Sequence, residues 1–330
     1  MIKKIVLTFF SLFIILIIVS FIYICIGSDC YSVWQIVEIL KNPDNYPAEY
    51  AIIMDIRLPR LCLAILIGAG LSVAGTAFQA ILRNPLADPY IIGTSSGASL
   101  GAVISVILHI SWVSFVSPMI LFSFLGASCV MLFVYNVSVK MGKLSVENFL
   151  LSGVIAGSFC SALVSFLMMF SGESLPHIVM WLMGGFSGRE EWNYVLMLLP
   201  YVFLGSIFLL FHSPALNLLS MGEDIASSRG VNVEKEKLAI IALASLITSV
   251  SVSIAGTIGF IGFMIPHIMR KIFGSEHRIL IISSVLGGAI FLTLADMLAR
   301  SILPQGAEIP VGVITSLIGA PFFFFILKKR

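Results

Sequence analysis

Charged residues are scarce in this chain. Asp, Glu, Lys and Arg make up only 11% of its 330 residues, against about 25% in a typical soluble domain. A soluble protein with so few charges could not cover its surface with polar groups. Hydrophobic residues account for 59% of the chain, and the mean hydropathy is +1.07. The composition therefore predicts a protein whose solvent is mostly lipid. The net charge of +2 is too small to suggest a nucleic-acid partner.

Several kinds of binding site are also missing from the sequence. The five cysteines are scattered, with no C-x-x-C pair and no zinc-type spacing, so we expect neither a metal site nor structural disulfides. The single Gly-Lys pair, Gly142-Lys143, is followed by Leu144, and Val137 stands where the first glycine of a phosphate-binding loop would be. We therefore expect no cofactor on this chain. If ATP drives it, a separate subunit holds the ATP and Mg²⁺.

Long apolar runs fill most of the sequence. A membrane-spanning helix needs about 20 apolar residues. Windows of that size predict ten spans, of which the eighth is short: 4–26, 58–82, 89–109, 116–139, 147–170, 193–212, 238–257, 260–273, 279–301 and 311–327. The alternative for the first run is a signal peptide, but the run is long and no A-x-A site follows it. We interpret it as a retained helix.

The positive charges support the count of ten. With the N-terminus inside the cell and alternating spans, most of the 19 basic residues fall on the cytoplasmic side, including Lys329 and Arg330. The outside receives five: Lys41, Arg57, Arg60, Arg189 and Arg300. This asymmetry is what the positive-inside rule requires. We therefore predict that both termini are cytoplasmic.

Small residues suggest how the helices pack. Gly93, Gly97 and Gly101 form two overlapping G-x-x-x-G steps, which allow close helix approach in lipid. S-V-A-G-T at 72–76 recurs as S-I-A-G-T at 253–257, in spans of opposite direction. Inverted repeats are common in transporters. A match of five residues could equally be chance, and the sequence alone leaves both interpretations open.

Charged residues near the outer ends of the predicted spans are a further indication of function. Asp296 lies near the outer end of the ninth span, and Arg300 follows four residues later on the same face. We favour a local ion pair over an ion-coupling carboxylate. Arg57 and Arg60 share a face at the mouth of the second span. They either snorkel to the interface or form a basic patch for the carboxylates of an external partner.

The segment 213–237 is the most polar part of the chain. Ser220 and Glu223 fit a capping box, which predicts the start of a short helix. Gly222, Ala226 and Gly230 follow at steps of four and would leave one flank of that helix bare. An ordinary polar loop would not need both features. We therefore expect a docked cytoplasmic element.

Several motifs together resemble one family, the FecCD-type permeases of ABC importers. The matching motifs run from about residue 57 to the C-terminus: R-L-P-R at 57–60, G-A-x-L-S-x-A-G-x-x-x-Q from 68 to 79, R-N-P-L-A-D-P at 83–89, L-S-G-V at 151–154, W-L-M-G-G-F at 181–186, G-F-I-G-F-M-I-P-H-I-M-R at 259–270, A-D-M-L-A-R at 295–300 and E-I-P-V-G-V-I-T-S-L-I-G-A-P-F-F at 308–323. Residues 1–56 carry none of these motifs and resemble the family only in having an anchor helix and an outer loop.

The resemblance implies an all-α polytopic membrane protein with the type II ABC importer permease fold. It implies about ten helices in one transmembrane domain over residues 1–330, a family-like core from 57 to 330, and an inverted repeat of helices 2–5 and 7–10. It also implies the partners: a second copy of the chain, two ABC ATPase subunits, an external substrate-binding protein and membrane lipid. The expected location is the cytoplasmic membrane of a bacterium or archaeon.

The resemblance also implies roles for individual residues. The outer arginines, which pair with glutamates of the binding protein, match Arg57, Arg60 and Arg300. The coupling helix in the ATPase cleft matches Gly222 to Val231, including Gly222, Glu223, Asp224, Ala226, Arg229 and Gly230. The cytoplasmic gate matches Ser145, Val146 and Glu147, although several relatives carry small hydroxyl residues where Val146 and Glu147 stand. Independently of the family, Met168, Met169 and Trp181 are our candidates for lining the path.

The expected function is transport without chemistry. The chain would be the permease of an importer for a bulky metal chelate, with an iron–siderophore first and cobalamin or haem as alternatives. A secondary transporter is one rival, and it would not need the ATPase. An intramembrane enzyme is the other. Its only plausible material, His267 and Asp296, is expected near opposite faces of the bilayer, and catalytic groups must touch.

Overall fold

A computed structural model describes residues 2–27, 30–110, 117–140, 142–189, 191–303 and 307–328. The start of the predicted fourth span at Val116 and the charges of Lys329 and Arg330 lie outside the described residues. Within them the chain is almost entirely helical: α1 (Ile2–Cys25), α2 (Val33–Lys41), α3 (Pro47–Ala51), α4 (Leu58–Ile81), α5 (Thr94–Ile107), α6 (Pro118–Ser138), α7 (Val146–Met168), α8 (Leu175–Leu182), α9 (Trp192–Phe211), α10 (Ser213–Met221), α11 (Glu223–Ser228), α12 (Val233–Ala255), α13 (Ile261–Phe273), α14 (His277–Ser301) and α15 (Val311–Lys328).

Each of the ten predicted spans contains a helix. Among the described residues, seven helical stretches are long and apolar enough to cross a membrane: Thr8–Cys25, Pro47–Ile81, Pro118–Ser138, Val146–Met168, Trp192–Phe211, Val233–Ala255 and His277–Ser301. Helices α5 and α15 are apolar but shorter. The eighth predicted span is α13, whose 13 residues reach only about 20 Å at 1.5 Å per residue. That length is well short of the roughly 30 Å of a hydrocarbon core.

Three helices form the centre of the bundle. Helices α4, α12 and α14 are mostly buried, and α4 packs against both of the others. Helices α1, α6 and α9 pack around them, and α7 packs against α5 and α6. These four outer helices leave most of their apolar side chains exposed. This arrangement explains why α4 and α12 carry many Gly, Ala, Ser and Thr residues. Small side chains allow close helix packing, and apolar side chains on the outside suit lipid.

Close backbone contacts fix the central packing. A Cβ atom built on Gly68 of α4 would lie 2.2 Å from the backbone oxygen of Gly288 in α14, so only glycine fits there. The glycine stripe predicted from sequence behaves in the same way. A Cβ on Gly97 would lie 2.6 Å from the Gly126 oxygen, and one on Gly101 would lie 1.9 Å from the Phe122 oxygen. The predicted close approach at these positions is confirmed, and it joins α5 to α6.

The two matching pentapeptides differ in local structure. S-V-A-G-T lies inside α4, where Thr76 Oγ1 donates to the Ser72 oxygen at 3.0 Å. S-I-A-G-T crosses the end of α12, because Gly256 has a φ of +70° and ends the helix. The Thr257 hydroxyl then donates to the backbone oxygen of Leu182 instead of its own helix.

The segment expected to be an outer loop is instead largely helical. Helices α2 and α3 occupy much of it, and a π-helical turn at Ile52–Arg57 runs directly into α4. The capping box at the start of α2 explains part of this. Ser32 Oγ accepts from the Gln35 backbone, and the Gln35 side chain accepts from the Ser32 backbone at 2.8 Å. Helix α2 then buries Ile36 and Ile39.

A short hairpin precedes α7. Strands β1 (Val139–Lys140) and β2 (Lys143–Leu144) pair antiparallel, with Val139 opposite Leu144. The hairpin lies against the first turns of α12, where Glu234 accepts a hydrogen bond from the backbone of Leu144. It brings the start of α7 close to the segment that the sequence analysis singled out as polar.

Candidate functional site

Arg60 and Asp296 form a buried ion pair, although 236 residues separate them in the chain. Arg60 lies in the first turn of α4, and Asp296 lies near the end of α14. Arg60 Nε donates to Asp296 Oδ2 at 3.0 Å, and Nη2 donates to Oδ1 at 2.9 Å. Two parallel bonds of this kind are the strong, directional form of a charge-assisted hydrogen bond.

The Asp296 carboxylate has further partners. Tyr23 of α1 donates its hydroxyl to Oδ2 at 2.5 Å, and Arg300 Nε lies 3.5 Å from the same oxygen. The predicted local pair of Asp296 and Arg300 is therefore present, but Arg60 is the nearer cation. The Arg300 guanidinium also lies over the Tyr23 ring, 4.0 Å from its centroid. These contacts join α1, α4 and α14 at one end of the bundle.

Glu308 extends this cluster towards the surface. Its Oε1 accepts from Arg60 Nη1 at 2.8 Å, and its Oε2 accepts from Ser187 Oγ at 2.5 Å. Ser187 follows α8, and Glu308 precedes α15. The side chain of Glu308 remains 26% exposed, whereas those of Arg60 and Asp296 are 5% and 1% exposed. The cluster is therefore sealed on the Asp296 side and open on the Glu308 side.

Arg57 is engaged separately. It is only 3% exposed, donates to the Ile24 backbone oxygen at 2.6 Å and lies over the Tyr31 ring. A Cβ atom on Gly27 would lie 2.5 Å from Arg57 Nη2, so the glycine makes room for this side chain. Arg57 thus fastens the start of α4 to the end of α1.

The structure corrects the expectation of a basic patch open to a partner. The side chains of Arg57, Arg60 and Arg300 are buried, and each makes contacts within the chain. Docking of a binding protein on these three arginines stays a prediction. In this conformation, an external carboxylate at Arg60 would have to displace Glu308, whose side chain is partly exposed.

The predicted capping box of the coupling segment is wrong. Ser220 lies in the last turn of α10 and donates to the Asn217 oxygen at 2.7 Å. Helix α11 begins after Gly222, whose φ of +139° turns the chain between the two helices without a side-chain cap. Gly230, with a φ of +83°, follows the end of α11. The two glycines therefore serve the turns and do not form a bare flank.

Helix α11 nevertheless has two distinct faces. Ala226 is fully buried, and Glu223 binds the Lys237 side chain at 2.8 Å. Outward-facing residues make up the other face, together with the C-cap Arg229: Asp224, Ile225, Ser227 and Ser228. A short helix held by one face and exposed on the other has the shape of a docking element. No contact within the described residues tests its binding to an ATPase.

The predicted gate residues lie where α7 begins. Ser145 is the N-cap, and its hydroxyl accepts from the Asn148 backbone at 3.3 Å. Val146 is half-buried, and Glu147 is exposed in the first turn. The position of Ser145 is therefore explained by capping, and its role as a gate stays a prediction.

The three candidates for lining the path differ in environment. Met169 is 80% exposed just after α7, while Met168 packs beside Val164 and Ile178. Trp181 of α8 is buried against Ala98, Ala127 and Val252. Within this chain Trp181 is therefore chiefly a packing residue, and the lining of a path stays a prediction.

Comparison with known proteins gives the family. The family model described as the FecCD transport family matches residues 14–329. The chain belongs to the FecCD transport family. Among its relatives, this FecCD chain is 45% identical over 287 residues to the ABC transporter permease protein YvrB of Bacillus subtilis, covering 86% of this chain and 80% of the relative. It is 41% identical over 279 residues to the cobalamin import permease BtuC of Halobacterium salinarum, covering 84% and 74% respectively.

A solved structure supports the same assignment for this FecCD chain. An inward-facing ABC transporter of the metal-chelate type matches with a TM-score of 0.87 and 34% identity, covering 98% of this chain and 99% of that one. The predicted type II ABC importer permease fold is therefore confirmed. The seven long apolar helices and the family together make the chain a multi-pass membrane protein.

Sequence analysis missed several residues of these clusters. Tyr23 and Glu308 complete the ion-pair cluster, and Lys237 and Glu234 hold the start of α7 next to α11. Tyr23 offered one signal, since it is the single tyrosine in the long apolar run 4–26. Glu308 lies in the motif at 308–323 of this FecCD chain. The motif was recognised from the sequence, but no role was predicted for Glu308. Lys237 looked like an ordinary cytoplasmic charge.

Proposed function

We propose that this chain is the permease subunit of an ATP-driven importer that takes up a bulky metal chelate. The observation that carries the proposal is the match, over nearly the whole chain and at 34% identity, to an ABC transporter of the metal-chelate type. The relatives are transport permeases, which supports a chain that moves a substrate without chemical change. ATP and Mg²⁺ belong to a partner ATPase.

The proposed assembly contains two copies of this chain and two ATPase subunits. The exposed face of α11 supports a contact with the ATPase, because it offers apolar and charged side chains together. The exposed apolar side chains of α7 and α15 suit lipid or the second copy, as shown by Leu151, Phe159 and Phe324. In this arrangement α11 and both termini are cytoplasmic. The Arg60 cluster then faces outside, where a binding protein delivers the chelate.

The first candidate substrate is an iron–siderophore complex. Its support is the set of FecCD-type motifs in the sequence, which the family's importers of iron chelates share. Cobalamin is the second candidate, because a relative with 41% identity is a cobalamin import permease. Haem is kept as a third compound to test. All three are bulky chelates, and each would need a wide translocation path that has little specificity of its own.

The test is uptake by the complete transporter in lipid vesicles. The chain is reconstituted with its ATPase and with the binding protein encoded nearest to it. Ferric siderophore, cobalamin and haem are supplied with ATP inside the vesicles. We expect uptake of one chelate that stops when ATP is omitted. A variant lacking Gly222–Val231 should lose the ATPase on purification and should lose uptake.

Two results would contradict the proposal. Uptake that continues without the ATPase would identify a secondary transporter. Failure of all three chelates with a binding protein that holds a different ligand would overturn the substrate class. The Asp296 geometry already weighs against ion coupling, because two arginines and a tyrosine hold that carboxylate in place.

A further inference from the structure

Lys237 is a buried lysine at the junction between α11 and the start of α7. It lies in the second turn of α12, and its side chain is only 2% exposed. Three oxygens surround its ammonium: Glu223 Oε2 at 2.8 Å, Leu144 O at 3.2 Å and Glu234 Oε1 at 3.6 Å. An ammonium has three N–H donors and no acceptor. Glu223 and Leu144 lie within hydrogen-bond distance of it, and Glu234 at 3.6 Å adds a second carboxylate without a hydrogen bond. A buried charge is tolerated when it is paired and hydrogen-bonded in this way.

The three oxygens come from three different elements. Glu223 is the first residue of α11, Glu234 belongs to α12, and Leu144 ends the hairpin directly before the α7 cap. Leu144 is held from both of its backbone groups. Its N–H donates to Glu234 Oε2 at 2.8 Å, and its oxygen accepts from Lys237. We call Lys237, Glu223, Glu234 and Leu144 the Lys237 junction.

The junction makes α11 and the start of α7 move together. If α11 is displaced with Glu223, Lys237 must either follow or remain buried with one weaker partner at 3.6 Å. Breaking a buried pair by removing one partner is strongly unfavourable, because the other charge is left uncompensated. If Lys237 follows, its bond to the Leu144 oxygen pulls on the residue that precedes Ser145. The same displacement therefore reaches the first turn of α7.

A second contact of Glu223 is weaker. Its Oε1 lies 3.8 Å from Arg83 Nη2, and both side chains are partly exposed. Arg83 belongs to the loop after α4, away from the hairpin. An exposed pair at this distance contributes little, so the path from α11 to the hairpin runs through Lys237.

We propose that Lys237 is the positioning residue that transmits movement of α11 to the start of α7. This inference rests on the proposed function, in which α11 contacts the ATPase, and on the predicted cytoplasmic gate at Ser145, Val146 and Glu147, where α7 begins. Lys237 contacts neither ATP nor chelate in this scheme. Its role is to make ATP hydrolysis productive for transport, in addition to supporting the fold.

The test is the number of ATP molecules hydrolysed per chelate imported by the complete reconstituted transporter. In Lys237→Met, which keeps the length of the stem without its charge, we expect this ratio to rise at least tenfold. Co-purification of the ATPase should be retained. The matched control is Lys235→Met, because Lys235 lies on the exposed side of the same helix. Its ratio should equal that of the wild type. The ratio for Lys237→Arg should lie between that of Lys237→Met and that of the wild type.

A stabilising role alone would lower the amount of assembled transporter but would leave the ratio unchanged. If Lys237→Met does not assemble, Glu223→Ala replaces it, since it breaks the bond between α11 and Lys237 and keeps both hydrogen bonds of the Leu144 backbone. The same rise is expected. A wild-type ratio in an assembled variant overturns this inference and leaves the proposed function intact. Absence of ATP-driven uptake by the wild type overturns the proposed function instead.

Discussion

Tyr23 and Asp296 share a hydrogen bond of 2.5 Å between α1 and α14, across 273 residues of sequence. The bond fastens the outermost helix of the bundle to one of its central helices. It also shares the Asp296 carboxylate with Arg60 and Arg300, so one acidic side chain orients three neighbours.

Asp296→Asn should destabilise the fold far more than Tyr23→Phe. The asparagine removes the buried one of the two carboxylates that pair with Arg60, and breaking a buried pair costs about 3–5 kcal/mol. Tyr23→Phe removes a single hydrogen bond and costs about 1 kcal/mol. Thermal unfolding in detergent measures both. Asp44→Asn is the control, because Asp44 is exposed. Equal effects of the two core variants would contradict the role assigned to Asp296.

Glu308→Gln should strengthen docking of the binding protein. Glu308 is the exposed acceptor on Arg60, so a partner's carboxylate must compete with it. Removing that competing charge should raise the affinity about threefold in low salt, the size of an exposed ion pair, and less in high salt. Titration of the binding protein onto vesicle-embedded transporter measures it. Ser187→Ala keeps the Glu308 charge and should change the affinity little. Unchanged affinity in Glu308→Gln would argue against docking on Arg60.

Gly101→Ala should disturb the packing of α5 on α6. The added Cβ would lie 1.9 Å from the Phe122 oxygen, so the two backbones must separate. Overpacking of this kind costs about 1–3 kcal/mol. Gly259→Ala is the matched control, because a Cβ there meets nothing within 4 Å. Thermal unfolding and folded yield should fall for the first variant alone. A stable Gly101→Ala protein would show that this helix pair tolerates separation.

The stability of Asp88→Asn relative to that of the wild type should increase as pH rises. Asp88 lies in the loop between α4 and α5, beside an apolar cavity of about 520 Å³. Burial raises its pKa from 3.8 to about 6, although the Tyr90 backbone N–H that binds it acts to lower the pKa. The raised value means that the folded state binds this proton more tightly than the unfolded state does. The wild type therefore loses stability between about pH 4 and pH 6.

The comparison of melting temperatures across pH tests this expectation. Asparagine keeps an oxygen for the Tyr90 N–H and carries no charge at any pH. The difference between Asp88→Asn and wild type should be smallest near pH 4 and should reach its full size above about pH 6. Asp44→Asn again serves as the control. A difference that does not vary with pH would show that Asp88 titrates normally.

Most of the architecture could be predicted from the sequence, because a helix that crosses lipid must be long and apolar. Spans that need about 20 apolar residues are readable from composition, and each predicted span contains a helix. Gly97 and Gly101 were also readable, since small residues at steps of four permit close helix contact. A short helix was correctly predicted within the segment 213–237, but its cap was not. The S-x-x-E pattern at Ser220 does not cap α11. Gly222, which has a positive φ, instead lies between the end of α10 and the start of α11.

The sequence by itself determined the membrane class, the family and the approximate positions of the helices, because hydrophobicity and local motifs are properties of neighbouring residues. The tertiary structure alone decided what the charges do. Arg60 looked like a surface residue until Asp296, 236 residues away, was found beside it. Lys237 looked like an ordinary cytoplasmic charge until Glu223 and Leu144 were found around it. A charge in a membrane protein takes its role from the partner that compensates it, and that partner is set by the packing of distant helices.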